Sequence, residues 1–129
     1  MLARYAIGNI VYYVSDIDRT EAFYRDTLGL SVDRVPGDGA EHGGDFLIAH
    51  TAGGIDLIFF TNPEAKPGQS PIIVFTLAEG GIDRIVEGLA KKGATIVTPL
   101  SEAPGGWSAD LADPHGHVFS VYQSEEIPR

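Results

Sequence analysis

Few residues in this chain can do chemistry. Its 129 residues include four histidines, 18 Asp and Glu and no cysteine, which excludes disulfides, thiolate metal sites and a cysteine nucleophile together. No Ser-His-Asp order, phosphate loop or Gly-x-Gly-x-x-Gly run occurs, so nucleophilic hydrolysis and nucleotide chemistry have no support. His115 and His117 stand two apart, a spacing that puts both side chains on one face of an extended strand, and His50 lies on another strand. His115 occupies the variable position of a turn and His117 the first residue of a strand, so both are expected as solvated rim residues. His42 sits in the glycine-rich link Gly37 to Gly44, which looks like a mobile lid. Asp56 is the carboxylate on the strand expected at Ile55 to Thr61. In an apolar cup its pKa would rise, making it a candidate catalytic base.

The elements that must hold these residues come as a repeat. Asn9 to Asp16 is followed by Ile17-Asp18-Arg19, and Ile72 to Glu79 is followed, after two glycines, by Ile82-Asp83-Arg84. The opening segments, rich in Ile, Val, Tyr, Phe and Thr, predict strands. In the second half Ile82, Ile85, Val86, Leu89 and Ala90 form a helical apolar stripe, with Arg84, Glu87 and Lys91 facing water, and Gly93 ends the helix. In the first half Ser15 to Asp18 has the pattern of a capping box, Phe23 and Leu28 point inward, and Gly29 ends the helix.

Three strands are expected after each helix. They cover Leu30 to Val35, Asp45 to Thr51 and Ile55 to Thr61, then Thr95 to Leu100, Ser108 to Leu111 and His117 to Gln123. Asp113-Pro114-His115-Gly116 carries turn chemistry between the last two. The fold expected is α+β: two β-α-β-β-β modules, residues 5–61 and 72–124, joined by a linker 62–71 within a single domain 1–129. Neither module buries its second sheet face alone, so the two are expected to pair into a cup-shaped, partly closed mixed sheet with helices outside.

A formal net charge of −9 and a pI near 4.6 oppose binding to nucleic acid or an anionic membrane, since either would be repelled. No apolar run approaches the roughly 20 residues that cross a bilayer, and the first residues lack the order of a secretion signal. A cytoplasmic protein is expected.

The strand end Val14-Ser15-Asp16, the run Phe23-Tyr24-Arg25-Asp26-Thr27-Leu28-Gly29-Leu30 and the late Asp113-Pro114-His115-Gly116-His117-Val118-Phe119 together resemble the vicinal-oxygen-chelate superfamily. It groups glyoxalases, bleomycin-resistance proteins and extradiol dioxygenases. The resemblance spans nearly the whole chain and implies the fold more strongly than the function, because this scaffold hosts isomerases, oxygenases, thiol transferases and plain binding proteins. It also implies a homodimer.

Enzymes of this superfamily hold a divalent metal with His and Glu from four strands. The resemblance puts those positions at Asn9, Asp56, Ile72 and Ser120, with the register at Asp56 open by a residue or two. A catalytic metal needs about three imidazole, carboxylate or thiolate ligands, and one carboxylate remains. The expectation is that the family metal site is absent and that no cofactor is bound.

Strand alternation, with the ligand positions facing the cup, assigns to it Asn9, Val11 and Tyr13, then Asp56, Ile58 and Phe60, then Ile72, Val74 and Thr76, and finally Val118, Ser120 and Tyr122. Val11, Val74 and Val118 are read as packing. Asn9, Tyr13, Asp56, Phe60, Ser120 and Tyr122 are candidate ligand contacts. Trp107 joins them because Pro104-Gly105-Gly106 could leave its ring over the cup mouth. Arg34 is a weaker candidate, as an anion contact.

The function expected is a glyoxalase/bleomycin-resistance-like protein that binds a small aromatic or cationic molecule without a metal, for sequestration or resistance. The alternative is a lyase, isomerase or dioxygenase of the same superfamily, metal-dependent or using Asp56 as base.

Overall fold

Two successive rounds of strand, helix and three strands produce two compact units, residues 1–66 and 67–129. The computed structural model describes residues 3, 7, 9–37, 44–68 and 71–129. The lid-like segment with His42 therefore lies outside the described residues.

In the first unit β1 (Asn9–Val14) leads into α1 (Ile17–Ala22), which continues as one π-helical stretch, Phe23–Thr27. Then come β2 (Ser31–Val35), β3 (Phe46–His50) and β4 (Asp56–Thr61). The mixed sheet has the order β1-β4-β3-β2, with β1 parallel to β4 and the other pairs antiparallel. The helix begins one residue later than the capping-box pattern predicts. Asp16, rather than Ser15, is the N-cap, and its Oδ1 accepts the Arg19 N–H at 3.1 Å. A carboxylate at this position also suits the positive end of the helix dipole.

One sheet face carries the core of this unit. Tyr12 and Val14, Leu47 and Ala49, and Leu57 and Phe59 are all buried, as are Phe23 and Tyr24 of the helical segment. The Tyr24 ring lies tilted against Phe59 at 4.5 Å, and Phe59 stacks on Tyr12 at 5.4 Å. The π-helical turn after Ala22 accompanies the burial of two consecutive aromatic residues, Phe23 and Tyr24.

The second unit repeats the plan with β5 (Ile73–Thr76), α2 (Ile82–Lys91), β6 (Thr95–Ala103), β7 (Gly106–Ala112) and β8 (Val118–Ser124), in the sheet order β5-β8-β7-β6. β5 runs parallel to β8; β6 and β7 form a longer hairpin than the sequence pattern predicts, turning at Pro104-Gly105. Its core-facing residues include Ile82, Val86, Ala109, Leu111, Phe119 and Val121. Ile85, assigned to the apolar stripe, is 41% exposed.

The Asp113 to Gly116 turn forms as its chemistry requires. Buried Asp113 accepts the N–H groups of His115 and His117 at 2.9 Å each, and Gly116 takes φ +85°. His115 and His117 are half-buried, with rings 6.4 Å apart. Among the described residues no helix is long and apolar enough to cross a membrane.

Candidate functional site

With the helix of each unit on one sheet face, the alternate side chains form a second face that the unit's own helix leaves open. In the first unit the register sorts that face into three rows. Asn9 pairs with Asp56, Asp56 with His50 and His50 with Ser31. Two residues along, Val11, Ile58, Ile48 and Asp33 align; two further on, Tyr13, Phe60, Phe46 and Val35 do so. The face thus runs from a polar row through an aliphatic row to an aromatic one, over about 13 Å at 3.3 Å per residue.

The polar row is wired to Asp33, at the end of the next row, through His50. His50 Nδ1 lies 3.0 Å from Asp56 Oδ1 and Nε2 lies 2.8 Å from Asp33 Oδ2. An ionised carboxylate only accepts, so the arrangement favours the imidazolium form, in which both ring nitrogens donate. Asp33 first, and Asp56 with it, accordingly raise the His50 pKa above its ordinary 6.5. The hairpin just beyond fixes this register: Gly53 and Gly54 take φ near +90° and Thr51 Oγ1 donates to the Ile55 carbonyl. At the other end Phe60 lies 5.2 Å from Phe46 and 6.2 Å from Tyr13, whose ring is on a residue 56% exposed.

In the second unit the open face carries Val74 and Thr76, Ser120 and Tyr122, and Ser108 and Asp110. It is poorer in aromatics and richer in hydroxyls. Ser120 is buried and its Oγ donates to the Ala109 carbonyl at 3.1 Å; the Tyr122 hydroxyl donates to the Pro104 carbonyl at 3.2 Å. Thus Asn9, Tyr13, Asp56 and Phe60 share one face of the first unit, and Ser120 and Tyr122 share one face of the second.

Trp107 stands apart from them. It pairs with Gln123, whose Oε1 accepts the Ile82 N–H at the start of α2, so both point to the helix side of the sheet. The Arg129 guanidinium lies 4.1 Å over the indole. Arg34 is likewise committed on the helix side, bonding Asp18 at 2.7 Å and Glu21 and Asp45 at 2.9 Å each. These carboxylates raise its pKa, and Asp45 is lowered by the Gly37 N–H and by Arg34. A cavity of about 570 Å³ between α2 and β6, lined by Val86, Ile96 and Leu100 among others, also lies away from the Ser120 face.

The superfamily's metal does not fit the donors present. Of the four positions that the resemblance gives, Asp56 alone brings a carboxylate, Ser120 brings a neutral hydroxyl, Asn9 a neutral amide and Ile72 nothing. His50 has a carboxylate on each nitrogen. Among the described residues no three His, Asp or Glu side chains are grouped so as to hold a metal ion.

Nothing in the sequence pattern marks Asp33, and it marks His50 only as one histidine on another strand. The signal was in the hairpin: once His50 is placed opposite Asp56, alternation puts Asp33 on the same face one strand away.

The fold and these faces define the class. The chain belongs to the Glyoxalase/Bleomycin resistance protein/Dioxygenase superfamily, whose model matches residues 6–121. No curated protein matches it. Among solved structures it is similar to a glyoxylase/bleomycin resistance protein/dioxygenase domain from Frankia sp. EAN1pec, with a TM-score of 0.76, 20% identity, and 95% of this chain and 100% of that one covered. It is similar also to TnmS3, an antibiotic binding protein from Streptomyces sp. CB03234, with a TM-score of 0.73, 23% identity, and 97% and 100% covered. A family enzyme from Burkholderia phytofirmans PsJN gives a TM-score of 0.74 at 20% identity, with 92% and 98% covered. At such identities the likeness establishes the fold.

Proposed function

We propose that this chain binds a small aromatic or cationic molecule on the open sheet face of its first module, without a metal, in the service of sequestration or resistance. The observation that carries the reading is the division of that face, with the exposed Tyr13 ring beside Phe60 and Phe46 at one end and the Asp33, His50 and Asp56 cluster at the other. Aromatic and apolar side chains with a few placed polar groups are the usual lining of a small-molecule site. TnmS3 is an antibiotic binding protein of the same fold, which supports binding as the role. Asn9, Tyr13, Asp56 and Phe60 are the contacts proposed on this face; Ser120 and Tyr122 are proposed as contacts on the face of the second module. A homodimer and a cytoplasmic location are part of the same proposal, which sedimentation velocity and cell fractionation test.

A catalytic role for Asp56 as base is less favoured. That role needed an apolar setting, and Asp56 stands in a polar row against His50.

The test is a thermal-shift screen of aromatic cations, neutral aromatics and aromatic anions against the wild type and Tyr13→Ala, with elemental analysis of protein purified without chelators. We expect stabilisation by members of the first two classes, lost in Tyr13→Ala, and no stoichiometric Ni, Zn, Mn or Fe. Stabilisation indifferent to Tyr13, or one tightly bound metal per chain, would refute the reading.

A further inference from the structure

We infer that the Asp33–His50–Asp56 cluster is the recognition point for a planar nitrogen cation of the amidinium or guanidinium class, with the His50 ring holding that place when the ligand is absent. The inference rests on the open face being a binding surface, and it names which end of the ligand goes where.

The geometry carries it. The imidazole presents its N–C–N edge to two carboxylates on opposite sides, at 3.0 Å and 2.8 Å. An amidinium has the same planar N–C–N unit, the same single positive charge and N–H donors in the same plane. Two carboxylates that already hold one such unit are matched to another. The exchange is sterically open, since the His50 side chain is 42% exposed and the Asp33 side chain 67% exposed, so the ring can swing outward by a side-chain rotation. The groups facing His50 from neighbouring strands are Asp33 and Ser31 on β2, and Asp56 with Asn9 beyond it on β4 and β1. None is cationic, so after the ring leaves, the two carboxylates stay uncompensated until a cation arrives.

A second observation on the same face points to the rest of the ligand. The row of Tyr13, Phe60 and Phe46 lies about 13 Å along the strands from the row of Asp56 and His50, and the row between holds Val11, Ile58 and Ile48 with Asp33 at its end. A molecule with an amidine or guanidine at one end and an apolar or aromatic body fits that sequence of surfaces. An anionic ligand does not, because the cluster keeps a net negative charge even with the imidazole protonated.

The test uses three probes of one size, benzamidine, benzamide and benzoate, in calorimetric titrations at a fixed pH near 8. We expect benzamidine to bind about tenfold or more tightly than benzamide, as a charge-assisted pair implies, and benzoate weakest. Asp33→Asn and Asp56→Asn should each erase the preference. His50→Gln should tighten benzamidine several-fold, because the internal competitor is gone, and leave benzamide unchanged. The inference fails if benzamidine and benzamide bind alike, if benzamidine does not bind, or if His50→Gln weakens it. Circular dichroism confirms that each variant is folded, and His50→Asn provides a second neutral replacement. Benzamide binding that depends on Tyr13 but shows no preference for the cation would leave the proposed function standing and this inference refuted. If none of the three probes binds and the thermal-shift screen is also blank, both fall.

Discussion

The His50 ring spans three adjacent strands, its Nδ1 3.0 Å from Asp56 on β4 and its Nε2 2.8 Å from Asp33 on β2. The consequence for stability has a definite sign. Because the folded state raises the His50 pKa, the pair contributes fully below the unfolded value near 6.5 and the contribution is lost as pH rises through the folded value. In urea unfolding the wild type should therefore exceed His50→Gln most below the unfolded value, at pH 5.5, and the gap should narrow as pH rises above it. A gap that is constant or widens with pH contradicts the assignment.

The repeat, its run of strand, helix and three strands, and the open-face set Asn9, Tyr13, Asp56 and Phe60 were legible in the sequence because alternation needs only a correct strand and phase. The His50 cluster was not legible, since Asp33, His50 and Asp56 are separated by 17 and 6 residues and meet only through the β2-β3-β4 register. Trp107 shows the opposite failure. The glycines before it licensed any orientation, and what fixes the ring is its pairing with Gln123 and the Arg129 guanidinium over it, both long-range. The start of α1 shifted by one residue because Ser15 and Asp16 are both competent caps, and only the observed bond to Arg19 decides between them.

Adjacent residues on β4 should separate stability from binding. Phe59 is fully buried among Tyr12 and Tyr24, whereas Phe60 lies on the open face. Phe59→Ala should cost about 3–5 kcal/mol. Phe60→Ala gives up mainly ring pairs, of about 0.5–1.5 kcal/mol each, yet should weaken aromatic ligands more than any substitution on the helix side. Chemical denaturation paired with ligand titration of both variants checks this; equal stability losses would show that the two faces are not distinct.

Helix α2 depends on a residue 41 positions away. Its N-cap, Gly81, has no side chain to offer, and the fully buried Gln123 supplies the acceptor instead, taking the Ile82 N–H at 2.8 Å while its Nε2 donates to the Ile127 carbonyl at 2.7 Å. Gln123→Leu leaves the buried Ile82 N–H without a partner, at about 1–3 kcal/mol, and frees the part-buried Ile127 carbonyl. It should also release residues 127–129 and with them the Arg129 contact on Trp107. A loss of stability together with a change in Trp107 fluorescence is expected; an unaltered emission spectrum would show that the tail is held by other contacts.

Arg34 binds the first helix to its sheet through three carboxylates, Asp18, Glu21 and Asp45. Arg34→Met removes the cation and leaves three like charges close together, which should lower the melting temperature. The site is accessible to solvent, so salt screens that repulsion, and the deficit should shrink between low ionic strength and about 1 M. Acid should act in the same direction. The folded state holds the Asp45 carboxyl below its ordinary range, chiefly through the Gly37 N–H and then Arg34, so its contribution is present above the unfolded pKa and disappears as pH falls through the folded one. The wild type and Arg34→Met should therefore converge in acid and diverge at neutral pH. Melting curves over pH and salt measure this directly, and a deficit independent of both would mean that Arg34 matters through the packing of its aliphatic stem rather than its charge.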